Sequence, residues 1–180
     1  MRDLPEDLDD RATALLSRVV PGGFVPPPFR IWAQSIDLAE HVEPLGKYCR
    51  EESALSPAAR ELVILLAAER LRSPGAWQAH ADKALAAGLP RETLDALASG
   101  TEPALPDAEL SATYRLADRL LAARGVDDET FDRARDALGT RGIVDLIGCL
   151  GSFAMSAWAL NAFRMGFDDA AAWPFEQPAI

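Results

Sequence analysis

The amino-acid sequence predicts an all-α fold, a helical bundle, and three observations carry that expectation. Apolar residues recur at three- and four-residue spacing in one segment after another, the period at which side chains share a helix face. Between these segments stand helix signals: Ser56-Pro57, Pro90, Asp107, Asp127 and Thr140 at starts, and Gly88, Gly100 and Gly125 at ends. The chain also echoes itself. Slid by 81 residues without gaps, Arg60, Val63, Leu65, Ala76, Trp77 and Ala81 fall on Arg141, Val144, Leu146, Ala157, Trp158 and Ala162, which reads as two copies of one helical hairpin.

Taken in order, Pro5 to about Val20 reads as an amphipathic helix with Leu8, Ala12, Leu15, Leu16 and Val19 inward, closed by Pro21-Gly22-Gly23. Residues 1–23 are thus a helical extension that clasps the body or a neighbour. Phe24 to Pro28 should be extended, because three prolines follow one another, and Phe29-Arg30-Ile31-Trp32 starts a short apolar helix. Asp37 to about Ser53 forms the next helix, with Pro44 expected near a turn or kink early in it.

Ser56 and Pro57 then open a helix through Leu62 to Ala68, apolar on every side and therefore buried, with Glu61 and Glu69 as charges at its edges. Arg72-Ser73-Pro74-Gly75 breaks it. A second helix carries Trp77, His80 and Ala84 on one stripe and stops at Gly88. Two antiparallel helices joined so tightly can turn Glu61 toward His80.

Beyond this pair, Pro90 opens a short helix that Gly100 closes, and 101–106 is a surface connection. Asp107 to Arg124 is amphipathic and ends at Gly125; Asp127 caps another helix to about Leu138. Thr140 starts the last, Arg141 to about Met165, in which Gly148 and Gly151 offer a neighbouring backbone close approach. The tail 166–180 keeps Trp173 and Phe175 beside Pro174 and Pro178 and is expected to dock on a surface.

The chain has 180 residues, 49% of them hydrophobic, one domain's worth with enough apolar material for a core. Its net charge of −10 argues against a nucleic-acid or anionic-membrane partner. No apolar run approaches the roughly 20 residues of a membrane span, and the acidic start is unlike a signal peptide. Cys49 and Cys149 stand apart without metal-ligand spacing, which points to packing roles in a reducing, cytoplasmic compartment. No clustered His/Cys set, P-loop or dinucleotide glycine pattern is present, so neither metal nor other cofactor is expected.

The Glu61-to-His80 interval of nineteen positions resembles the carboxymuconolactone decarboxylase and alkylhydroperoxidase D superfamily. In the peroxidase branch a Cys-x-x-Cys lies between the acid and the His, and here those positions hold Ser73 and Ala76. Thiol-based peroxide reduction by that motif is therefore excluded. Members without the cysteines read Tyr-Glu-Trp-x-x-His; Trp77 and His80 fit, while Gly75 and Ala76 replace the Tyr and the acid. The resemblance, about Phe24 to Gly166, implies an alkylhydroperoxidase D-like all-α bundle, a homo-oligomer (trimer or hexamer) and a small-molecule substrate.

It also implies a proton-transfer site. His80 is expected as general acid/base and Glu61 as its orienter, in a cofactor-independent, lyase-like reaction on a small carboxylated lactone or carbonyl compound. Ser73, Ala76 and Ala84 leave room beside His80 for a ligand or for another helix, and Trp77 is either core or substrate wall. Arg72 and Arg30 are the candidates for gripping a carboxylate, because guanidinium recognises it bidentately. The alternative is a catalytically silent oligomeric binding or scaffold protein that keeps the hairpin for packing.

Overall fold

A computed structural model of the protein describes residue 4 and residues 8–19, 25–122, 125–165 and 174–175. Among these the chain is all-helical: α1 Asp10–Val19, α2 Pro27–Trp32, α3 Ile36–Glu51, α4 Pro57–Arg70, α5 Pro74–Ala86, α6 Arg91–Ala98, α7 Ala108–Leu121 and α8 Asp128–Ala162. The expected stop at 21–23 and the tail residues Trp173 and Pro178 lie outside the described residues.

The apolar block around which the others gather is α4. Leu62, Val63, Leu65 and Leu66 have no solvent exposure, and the helix packs on α5, α6, α7 and α8. Helix α7 lies along α8, α3 crosses α8, α2 sits on α3 and α8, and α1 covers α3. Burying a leucine fully is worth about 2 kcal/mol, so this one helix supplies much of the reason for the bundle to close.

Several starts follow the side chains the sequence provides. Ser56 Oγ accepts from Ala59 N–H at 3.1 Å, Asp107 Oδ1 from Leu110 N–H at 2.8 Å, and Asp127 Oδ1 from Thr130 N–H at 2.9 Å. Three expectations shift. Only Pro26 keeps an extended backbone, while Pro27 and Pro28 enter the first turn of α2, where a missing N–H and a fixed φ cost nothing. Pro44 lies well inside α3 rather than early in it, so one helical hydrogen bond is forgone without ending the helix. The first helix starts at Asp10, capped by Asp9 Oδ1 accepting from Ala12 N–H at 2.7 Å.

The internal echo survives as position, not as shape. The break at Ser73-Pro74 falls on Ala154-Met155, which lie inside the unbroken C-terminal arm of α8, and Trp77 is buried where Trp158 is 57% exposed. The interruption in α8 lies at Gly139 (φ 67°, ψ 170°), between the two helices expected there. Gly148 and Gly151 differ from expectation too: nothing else in the chain comes within 4 Å of where a Cβ would stand. Although no uninterrupted apolar run of span length occurs, α8 is long and apolar enough by composition to cross a membrane, and half of that window is buried inside the bundle.

Candidate active site

Both members of the pair are placed by helix ends. Helix α4 begins at its Ser56 cap, so Glu61 lies on the second turn. It ends in a Schellman turn, with Ser73 N–H donating to Ala68 C=O at 2.8 Å and Arg72 N–H to Glu69 C=O at 3.0 Å. Arg72 takes the left-handed position (φ 51°) that glycine usually fills. The chain reverses there, Pro74 opens α5, and His80 comes back alongside Glu61.

His80 Nδ1 lies 2.8 Å from Glu61 Oε2, with the two side chains 14% and 11% exposed. A carboxylate can only accept, so Nδ1 carries the hydrogen and Nε2 is the nitrogen left to take up or give a proton. Phe153 of α8 meets the imidazole edge-on, ring centroids 5.6 Å apart. The acid is buried within α4 rather than at its edge. One apolar wall and one carboxylate thus hold the ring in a single orientation.

Of the residues expected to contact substrate, Arg72, Ser73, Ala76 and Trp77 have partners within the chain. Arg72 Nη1 is 3.3 Å from Glu69 Oε1, and its guanidinium carbon lies 5.6 Å from the centre of the Phe175 ring. Trp77 is buried and packs edge-on against the same Phe175 at 5.9 Å. Ser73 is buried, its Oγ donating to Ala157 C=O at 3.5 Å, and Ala76 packs between the main core and the small cluster around Ile31 and Leu160. Arg30 is exposed on α2, which packs on α3 and α8. Phe175 therefore docks as the tail was expected to, on the corner between α4 and α5.

Other groups near the hairpin carry polar work that the sequence did not announce. Glu69 is 2% exposed and is paired with both Arg70 and Arg72. Arg70 reaches on to Asp118 of α7 through Nε at 3.0 Å and Nη2 at 2.6 Å. Burial works against the Arg70 charge, but Asp118 and Glu69 outweigh it and hold its pKa above the usual value. Asn161 Nδ2 donates to Leu71 C=O at 2.7 Å, while its Oδ1 is buried without a hydrogen-bond partner among the described residues. The 81-residue echo was the available signal for Asn161, since it falls on His80; Phe153 had none.

Among the described residues no three His, Cys, Asp or Glu side chains gather as a metal-binding group. A surface cleft of about 390 Å³ between α7 and α8 is lined by Arg115, Arg119, Asp127, Glu129, Thr130 and Arg133. Its arginines are paired with Glu102, Asp127 and Glu129, and none of the expected site residues lines it.

An all-helical chain with a His–Glu pair clasped in a helical hairpin defines a class, and comparison with known families agrees. Residues 37–119, a little under half of the chain and holding both members of the pair, match the Carboxymuconolactone decarboxylase family. No curated protein matches the chain.

Proposed function

We propose that this chain is a cofactor-independent enzyme of the carboxymuconolactone decarboxylase type, moving a proton on a small carboxylated lactone or carbonyl compound. The 2.8 Å contact between His80 Nδ1 and Glu61 Oε2 carries the reading, because it leaves Nε2 as the proton-exchanging atom. In a decarboxylation, carbon dioxide departs and the bonding pair passes into the adjacent conjugated carbonyl as an enolate. Protonated His80 delivers its Nε2 hydrogen to the carbon, and Glu61 steadies the imidazolium before transfer and orients the neutral ring after it. The same two groups serve an isomerisation or elimination. The working form in this proposal is a homo-oligomer.

The test is turnover of small carboxylated lactones, followed by carbon dioxide release and by solvent deuterium entering the product. His80→Gln is expected to lower kcat by about 10²–10⁴-fold, the range of a lost general acid/base. Glu61→Gln should lose less, since it keeps a hydrogen-bond partner for Nδ1 but not the charge. Unchanged turnover in His80→Gln removes the mechanism.

A second reading has its own support. Arg72, Ser73 and Trp77 are engaged by Glu69, Ala157 and Phe175, and Gly75 and Ala76 stand where decarboxylase-like sequences carry Tyr and an acid. A silent packing module would look this way. Small carboxylates that fail to move the His80 ring signals in NMR, together with no turnover, would favour it.

A further inference from the structure

The two cysteines, 100 positions apart in sequence, meet in the core where α3 crosses α8. Cys49 and Cys149 are 1% and 0% exposed, and Cys149 Sγ donates to the Cys49 carbonyl at 3.7 Å. The same Cys49 carbonyl accepts from Ser53 Oγ at 3.0 Å, so the Cys149 sulfur lies directly against the backbone of Cys49. The sequence reading set them apart as unrelated packing residues; the fold makes them a pair.

The crossing is held in register independently of the sulfurs. Tyr48 Oη donates to Asp145 Oδ1 at 2.9 Å and Ala54 N–H to Asp145 Oδ2 at 2.7 Å, so the residue beside Cys49 is pinned one turn before Cys149. Both cysteines therefore sit on well-packed helices whose crossing is fixed beside them. Their chemistry is unequal. The neighbouring Cys149 thiol holds the Cys49 thiol below its usual pKa against the opposing effect of burial, while Cys49 and burial push Cys149 far up.

We propose that Cys49 and Cys149 are a redox pair that closes to an intramolecular disulfide between α3 and α8 when a small neutral hydroperoxide such as hydrogen peroxide enters the core. Cys49, as thiolate, attacks one peroxide oxygen: an S–O bond forms, the O–O bond breaks, and the other oxygen leaves as water (as alcohol, from an alkyl hydroperoxide), taking up the thiol proton. Cys149 then attacks the Cys49 sulfenic acid. An S–S bond forms, the S–O bond breaks, and hydroxide leaves as water with the Cys149 proton. Two thiols lose two electrons, the peroxide gains them, and nothing else is consumed.

Burial selects the oxidant, since a protein disulfide cannot reach either sulfur and a molecule little larger than water can. This site is separate from the Ser73 and Ala76 positions and does not depend on the reaction proposed for His80. It does share α8 with that site: Phe153, one turn beyond Cys149, is the ring packed on His80. A bridge would fix that stretch of α8 against α3.

The experiment treats the reduced full-length chain with hydrogen peroxide, then unfolds it, alkylates free thiols and weighs the product. The proposal expects both thiols to vanish together in a single chain lighter by two hydrogens, a higher urea midpoint, and reversal of both by dithiothreitol. Cys149→Ser should give no such product. Two thiols still free after treatment, a Cys49 overoxidised beside a free Cys149, or cross-linked pairs of chains would each overturn it. The wild-type measurement stands even where the variant folds poorly.

Discussion

At the scale of single residues, a few polar side chains inside the bundle decide how its apolar helices are joined. Asp145 is 7% exposed and accepts from the Tyr48 hydroxyl and the Ala54 amide, tying α8 to the end of α3 and to the loop that leads into α4. That loop delivers Ser56, and Ser56 sets the start of the helix bearing Glu61. Replacing Asp145 by Ala removes the charged acceptor of two part-buried hydrogen bonds, each worth about 1.5–3 kcal/mol, and the variant should lose about 3 kcal/mol of stability in urea unfolding. Asp145→Asn, which still accepts one of the two hydrogen bonds, should lose about half as much. Equal stability of both variants with wild type would show that the loop is held by something else.

Elements were legible in the sequence where their ends are written in side chains or glycine. The caps at Ser56, Asp107 and Asp127 and the stops at Gly88 and Gly100 fall where they were read, because a capping oxygen or a missing Cβ acts locally. The turn after α4 was legible as a break but not as a Schellman turn, since Arg72 takes φ 51° without a glycine to mark it, its guanidinium paired with Glu69 three residues before and lying over Phe175 from far along the chain. Arg164 does the same at the end of α8, with φ 54° and Met165 N–H donating to Leu160 C=O at 2.9 Å. The Glu61–His80 pair was readable from spacing. The Asp145 hub, the reach of Arg70 to Asp118 and the meeting of the cysteines were not, because each joins segments whose approach only the packing decides.

Two predictions belong to α8 as an element. Gly139 adopts φ 67° and ψ 170°, a region that side chains scarcely enter, with open space where its Cβ would be. Gly139→Ala should therefore destabilise by about 1–3 kcal/mol through the backbone alone, read from a denaturant melt. The cap at the helix start is sensitive to acid. Thr130 N–H, then its hydroxyl, hold the Asp127 carboxyl below its ordinary pKa of 3.8. A depressed folded pKa means that the stabilisation is fully present above the unfolded value and is lost as pH falls through the folded one. Amide exchange over the first turn of α8 should thus speed up below about pH 3.8, and Asp127→Asn should flatten that dependence.

For the molecule as a whole, the feature left over is a stripe on the C-terminal arm of α8. Val144, Ile147 and Trp158 are 61%, 50% and 57% exposed, and with Gly151 they fall at spacings of three, four and seven. Such spacing keeps side chains on one helix face. Charge alone would keep copies of a chain with net charge −10 apart, so association has to come from apolar contact at such a face. Gly148 and Gly151, where no other described part of the chain comes within 4 Å of a Cβ position, would let a second helix approach closely. The proposed homo-oligomer therefore uses this stripe. Light scattering should give a multiple of 19.4 kDa for the wild type and a folded monomer for Ile147→Glu. Gly151→Ala separates the possibilities further. On a bare helix the added methyl raises stability by about 0.5–1 kcal/mol, whereas between two packed helices it weakens assembly. A wild type that is monomeric at micromolar concentration, and more stable as Gly151→Ala, would leave the stripe without a second copy to cover it.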